Sequence, residues 1–287
     1  MHRSSNREHC SGYVQRHLYF YWQQLDTIVI ERSNIILDGA GFTLQAASVD
    51  GIRIQYQSNT TIKNLKVDAG PSSFGIYAYY SQNITIFGCR VYSSGTGVSI
   101  YYTSYCQIYE NIIERSGIGI SITGSEVEST GHHNLIRNNT VTSNSNYGIY
   151  LGGYRNSVYQ NNVTGNDRGI NVGIDFSNVC ENIITRNKYP NGDGISMGTG
   201  IDGCNVSYNY VAENSWGLIL GGGLGYYSSH IPNTLKGNVI VNNGLLNFVL
   251  SATGLNYHAC TMRWMFQTRL TASQFIIGLK GRTILFR

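Results

Sequence analysis

Three sets of side chains have types and spacings that could do chemistry. Asp167 and Arg168 are adjacent, and Asp193 follows 25 residues after Arg168. An arginine or carboxylate so placed could abstract a sugar proton, the chemistry of a lyase or epimerase. The default reading of the same residues is a solvated ion pair, worth ~0–1 kcal/mol. Calcium enters only with the enzymatic reading, and the acids available for a cage, Asp175, Glu181 and Asp202, are scattered. The second set is aromatic. Tyr56, Tyr80 and Tyr102 each fall five residues after a recurring glycine, and Tyr79 and Tyr101 fall one residue earlier. Rings stacked in this way could offer a platform to sugar rings, or simply pack in columns. The third set is His132-His133, which reads as a surface pair. No Cys, Met and His cluster of the kind that handles copper accompanies it.

Other motifs point away from cofactors. Gly198–Gly203 fits the pattern GxGxxG, but a dinucleotide site needs that pattern between a strand and a helix, and here it lies between strands. The six cysteines, Cys10, Cys89, Cys106, Cys180, Cys204 and Cys260, form no CxxC pair and fit no zinc template. They read as isolated, mostly buried thiols. No metal site and no cofactor is assigned.

The elements that must position these residues come from a repeat. A motif Gly-Ile-x-Ile, with small variations, begins at Gly51, Gly75, Gly97, Gly119, Gly148, Gly169, Gly194 and Gly217, at intervals of 21 to 29 residues. A second motif, Ile/Val-x-x-Asn-x-Ile/Val, follows and centres on Asn111, Asn139, Asn161, Asn182, Asn209 and Asn238, with Leu65 and Cys89 at the same place in earlier copies. Five residues later comes another polar position: Ser94, Ser116, Asn144, Asn166, Asn187, Asn214 and Asn243. Self-similarity near 24 residues marks a solenoid. Apolar residues alternate over three or four positions, which is strand spacing, and no helical stretch separates the strands. The expected fold is all-β: a single-stranded, right-handed parallel β-helix (solenoid) of about nine to ten turns, its strands stacked ~4.8 Å apart.

The repeated polar residues then have a mechanism. Asn tolerates the left-handed conformation at a sharp bend, and its amide both donates and accepts, so stacked asparagines can form a ladder. The glycine before each Ile-x-Ile strand is expected to permit a second bend.

These repeats resemble those of NosD-type proteins within the pectin-lyase-like parallel β-helix superfamily, and Ser33–Leu44 is similar to an opening coil of that family. The resemblance covers residues 26–250. It implies the fold and an extracellular, periplasmic or cell-surface location, and it raises a role in copper-site maturation as one alternative. Residues 191–195, Asn-Gly-Asp-Gly-Ile, resemble a polygalacturonase motif. The further acids and the Gly-His-Gly and Arg-Ile-Lys motifs of those hydrolases have no counterpart here, and glycoside hydrolysis needs two placed carboxyls.

Composition sets the outer bounds. Charged residues make up 13% of the 287, while there are 34 glycines, 29 asparagines and 22 tyrosines, which excludes an ordinary disordered chain. No apolar run is long enough to span a membrane as a helix. The formal charge is +4, and all of the excess lies in residues 214–287, which hold six Lys or Arg and no acid. No nucleic-acid motif accompanies it. The start of the chain carries no visible export signal. Five sequons, at Asn59, Asn83, Asn138, Asn162 and Asn205, are what so Asn-, Ser- and Thr-rich a chain produces by chance.

Residues 1–25 form an N-terminal segment. Within it Val14, Leu18, Tyr21 and Leu25 have helical spacing, so a capping helix is expected over residues 13–25. Residues 26–250 form the β-helix. Residues 251–287 are a basic C-terminal tail, either a cap, with Met262, Met265, Phe266 and Leu270 as one face, or disordered. The leading function is a non-catalytic carbohydrate-binding or scaffold protein whose partner is a polysaccharide or glycan surface. The alternative is a lyase, epimerase or hydrolase acting on acidic polysaccharide.

Overall fold

A computed structural model describes residues 16–19, 26–222 (apart from 47–48, 93, 126–128, 189, 191 and 199–200), 233–252, 275–279 and 282–286. The described secondary structure is all strand, and no helix long and apolar enough to cross a membrane occurs among the described residues. The strands form three sheets of ten, nine and twelve strands, here called A, B and C. One coil consists of Gln82–Phe87 in sheet A, Arg90–Tyr92 in sheet B and Thr96–Tyr101 in sheet C. Each strand pairs in parallel with its counterparts one repeat away, as Val98 does with Ile76 and Ile120. The chain is therefore a parallel β-helix with about nine levels, set by the nine strands of sheet B.

The short strands turn one central residue inward. Ile108, Ile113, Ile136, Val141, Val158 and Val163 are all fully buried. In-register pairing stacks each on the same residue of the next coil, so the interior is a set of aliphatic columns. β-Branched side chains suit this position because their restricted rotamers pack against neighbours on a pleated surface.

The asparagine ladders form at two corners. Between sheets A and B, Asn139 Nδ2 donates to Asn161 Oδ1 at 3.0 Å, and Asn161 Nδ2 donates to Asn182 Oδ1 at 3.0 Å. Each Oδ1 also accepts the backbone N–H of the preceding coil's Asn, as Asn161 Oδ1 does from Asn139 N at 2.9 Å. Between sheets B and C the same pattern runs through Asn144, Asn166, Asn187 and Asn214. The left-handed residue, however, is the one before the ladder asparagine. Glu110, Gln160, Glu181 and Tyr208 have φ of 55°, 55°, 58° and 56°. These types gain nothing intrinsically from that region. The bend is held by the ladder's hydrogen bonds, and the side chain at the bend faces no packing constraint that excludes it.

The repeat glycines correct a second expectation. Gly51, Gly75, Gly97, Gly119, Gly148, Gly169 and Gly194 do not have positive φ. Their requirement is space. A Cβ on Gly97 would meet the Gly119 carbonyl oxygen at 2.7 Å and the Ile113 side chain. Backbone from the next coil occupies the volume that any side chain needs.

A third ladder, at the corner between sheets C and A, is absent from the repeat motifs. Asn134 Oδ1 accepts from Cys106 N at 2.8 Å, and Asn156 Oδ1 accepts from Asn134 N at 2.8 Å. Cys106 and Cys204 take ladder positions there, as Cys89 does between sheets A and B. Burial pushes all three thiols up to about 12, as expected for structural cysteines. Cys180 is partly buried, and Cys10 and Cys260 lie outside the described residues.

The ends differ from the capping-helix expectation. Arg16–Tyr19 is a strand that pairs in parallel with Ile35–Asp38. A free sheet edge offers a full row of backbone partners, which outweighs a weak helical spacing pattern. At the other end, Phe275–Leu279 pairs in parallel with Leu246–Ala252, and Arg282–Phe286 returns antiparallel to it. The residues proposed as a face of the tail, Met262, Met265, Phe266 and Leu270, lie outside the described residues.

Candidate functional site

The corner between sheets C and A positions the tyrosines. Ser81 Oγ accepts Gln57 N at 3.0 Å and donates to Tyr79 O at 3.0 Å. Thr103 Oγ1 accepts Ser81 N at 3.0 Å and donates to Tyr101 O at 2.9 Å. These hydroxyls pin the corner, so the preceding residues Tyr56, Tyr80 and Tyr102 take left-handed φ of 54°, 45° and 48°. Because such bends recur at every corner, the strain places these rings and does not by itself mark a site.

The rings form two columns. Tyr80 and Tyr102 stack with centroids 5.0 Å apart and planes 6° apart, and Tyr56 stacks on Tyr80 at 5.8 Å and 15°. The rings thus run as a near-parallel column along the coil axis, at close to the spacing of the stacked strands. Tyr79 and Tyr101 form the second column at 5.6 Å, edge-on to the first at 4.4 Å. Tyr56 is 65% exposed and Tyr80 37%. Burial, with Tyr56 and Tyr80 close by, raises the Tyr79 phenol above its usual value; burial does the same for Tyr77.

Beside this tyrosine column lies a groove of about 400 Å³. Its remaining walls are Gln57, Ser58, Ser81, Gln82, Ser104, Tyr105, Ser129, Thr130 and His132. Hydroxyls, amides and rings line it, with no Asp, Glu, Lys or Arg. His132 Nδ1 meets His133 Nδ1 at 2.6 Å, and Tyr105 stacks on the His133 ring at 5.4 Å. His132 thus lines the groove, with His133 against it, a placement that the pair's residue types did not signal. The signal available was the 29-residue interval from Gly119 to Gly148, which marked an insertion.

The residues considered for catalysis lie three coils or more beyond Tyr102, on sheet C. Arg168 occupies the register position of Tyr147 in the preceding coil, and Asp193 that of Trp216 in the next. Arg168 Nη1 donates to the Tyr147 hydroxyl at 2.7 Å, and its guanidinium lies 5.3 Å from that ring's centroid. No ion pair within 4.0 Å joins Arg168 to Asp167 or Asp193. Burial raises the Asp193 carboxyl, against the lowering influence of Arg168 and Ser196, and burial raises Asp167 too. The three residues are near neighbours, and the tyrosines are not among them. No group of three or more His, Cys, Asp or Glu is gathered as metal ligands among the described residues.

A stability prediction follows from Asp193. A carboxyl raised in the fold above its unfolded value stabilises below the unfolded pKa and loses that contribution as pH rises through the folded pKa. Asp193→Asn removes the partly buried charge, so at pH 7 the variant should melt no lower than the parent. Its advantage should vanish as pH falls toward 4 and Asp193 itself protonates. A variant that melts clearly lower at pH 7 would show that Arg168 holds the charged carboxylate.

Comparison with known proteins supplies the remaining observations. The sequence model of a family described as right handed beta helix region matches residues 9–163 and 127–262. No curated protein matches the chain. Similar solved structures include the mannuronan C-5 epimerase AlgE6 A-module of Azotobacter vinelandii, with TM-score 0.53 and 15% identity over 83% of this chain and 81% of that one. The periplasmic alginate epimerase AlgG superposes with TM-score 0.54 and 14% identity, covering 80% of this chain and 75% of its own. The tailspike protein of E. coli bacteriophage HK620, in complex with a pentasaccharide, gives TM-score 0.52 and 12% identity over 84% of this chain and 59% of that one. At these identities the likeness shows the fold alone.

Proposed function

The chain belongs to the right-handed β-helix family, and from that premise we propose that it is a non-catalytic, carbohydrate-binding solenoid of the cell exterior or periplasm. Its partner is a polysaccharide or glycan, met through the tyrosine groove. The observation that carries the reading is the near-parallel column Tyr56–Tyr80–Tyr102 along a groove of about 400 Å³ walled by hydroxyls and amides. A sugar presents an apolar C–H face and a rim of hydroxyls. The exposed rings of Tyr56 and Tyr80 receive the first, and Ser, Thr and Gln side chains hydrogen-bond the second. Of the similar structures, two are epimerases of mannuronan or alginate and one holds a pentasaccharide, so carbohydrate chains are met on this fold by both enzymes and binders.

A glycan array tests it. The parent should bind at least one saccharide, and the double variant Tyr80→Ala, Tyr102→Ala should lose tenfold or more in affinity. That equals ~1.4 kcal/mol, within what two ring contacts supply. The double variant should keep the parent's cooperative melt. No bound glycan, or binding indifferent to both substitutions, would sink the proposal.

A second reading, a lyase or epimerase of acidic polysaccharide, is favoured by Asp193, whose carboxyl burial raises despite the nearby Arg168. Such a carboxyl can move a proton nearer neutral pH than an ordinary one. Turnover of pectate or alginate, with or without calcium, that Asp193→Asn abolishes would replace the first reading with this one.

A further inference from the structure

We infer that the groove is closed at one end and takes the terminus of a neutral saccharide chain, an inference that rests on the carbohydrate reading above. The closure is built where the tyrosine column ends. The position five residues after the repeat glycine is Tyr56, Tyr80 and Tyr102 in successive coils, and Gly124 in the next. There the chain leaves the coil. Ser125 N donates to Thr130 O at 3.1 Å and Thr130 N to Ser125 O at 3.0 Å, forming an isolated antiparallel bridge. The returning chain passes so closely that a Cβ on Gly124 would lie 2.5 Å from Gly131 Cα. Ser129, Thr130 and His132 then line the groove at the level where a fourth tyrosine would have continued it.

The wall is tied down. His132 N donates to Ser104 Oγ at 3.2 Å, and Tyr105 N donates to His132 O at 3.0 Å. The His132 ring packs at 5.1 Å from Tyr105 and 5.3 Å from Tyr154. These contacts make it a fixed end wall. The opposite end opens at Tyr56, the most exposed ring of the column. An insertion in one repeat of a solenoid commonly shapes its binding face. Here it turns an axial groove into a blind one.

Size and charge define what fits. A volume of about 400 Å³ is near the lower end for small-molecule sites, which suits about one or two sugar rings. The lining carries no formal charge other than what His132 can acquire, and burial with the adjacent His133 lowers the His132 imidazole below its usual value. A uronate would meet no cation in the groove, whereas a neutral or N-acetylated sugar leaves no charge unpaired.

Titration calorimetry of the full chain tests this with neutral disaccharides and linear hexasaccharides of glucose, mannose, galactose and N-acetylglucosamine, and with cyclic glucans, which have no ends. For a sugar that binds, the disaccharide and hexasaccharide should agree within about threefold, and the cyclic glucans should not bind. Deleting residues 125–130, so that Gly124 joins Gly131, should open the groove and raise hexasaccharide affinity at least tenfold over disaccharide. Should that deletion fail to fold, Thr130→Trp decides the matter. It fills the closed end and should abolish binding of both lengths with the melt unchanged. Affinity rising tenfold with length in the parent, cyclic glucans binding like linear ones, or full binding by Thr130→Trp would overturn the closed end while leaving the carbohydrate reading intact. No binding by any probe would overturn both.

Discussion

Asn161→Ala should lower the stability of the β-helix by about 3–5 kcal/mol, although it removes only a small side chain far from any groove. Asn161 is 1% exposed. Its Nδ2 donates to Ile136 O, Tyr159 O and Asn182 Oδ1, each at 3.0 Å, and its Oδ1 accepts from Asn139 N at 2.9 Å. Alanine leaves the Asn139 N–H and two carbonyl oxygens without these partners, and each buried orphan costs about 1–3 kcal/mol. A domain's whole stability is about 5–15 kcal/mol, so the loss is a large fraction. Asn161→Asp should cost more at neutral pH. It keeps the acceptors, replaces a donor with a negative charge, and directs it at three oxygens. Burial raises such a carboxyl, so the deficit should shrink on acidification as the carboxyl protonates. Urea unfolding of both variants at pH 7 and pH 5 gives the comparison. A loss under ~1 kcal/mol in Asn161→Ala would show that water or a shifted coil replaces the ladder.

Gly75→Ala should cost at least ~3 kcal/mol, while Gly165→Ala should cost about 1–2 kcal/mol at most. The order reverses what glycine flexibility alone would suggest. Gly75 does not have positive φ, yet a Cβ there would meet the Gly97 carbonyl oxygen at 2.5 Å and the Val91 side chain. Neither atom can yield without moving a coil, because the oxygen belongs to paired backbone and Val91 is fully buried. Gly165 has φ of 65°, yet only Thr142 Oγ1, at 3.8 Å, lies near its missing Cβ. The same corner carries Ser143, Arg186 and Glu213 at φ of 57°, 58° and 58° in other coils, so the conformation is open to ordinary residues. Thermal melts of the two variants decide it. Equal shifts would mean that the coils part easily and that the glycine column reflects something other than space.

Much of this architecture was legible because the coils are parallel and in register. A residue one repeat away in sequence lies one coil away in space, so a column can be read by counting. Counting places Tyr80 above Tyr102 and Asn161 above Asn182, and both stacks occur. It also places Arg168 and Asp193 in neighbouring coils, which is correct, but adjacency of backbone does not fix which way a long side chain turns. Arg168 turns to the Tyr147 hydroxyl. The strand at Arg16–Tyr19 was hidden for a related reason. Its partner is a sheet edge, and an edge has no signature within the segment that covers it.

The sequence by itself determined the fold, the coil period, two of the three ladders and the membership of the tyrosine columns, since each depends only on a spacing that the in-register stack preserves. Tertiary structure decided which residue bends, why the repeat glycines have no side chain, and where the groove ends. Those three depend on distances between atoms of different coils: an N–H that must find an Oδ1, a carbonyl oxygen occupying the place of a Cβ, and a returning segment, Thr130 and Gly131, that passes against Gly124. Spacing names the neighbours, but only coordinates state how close they come and which of their atoms meet.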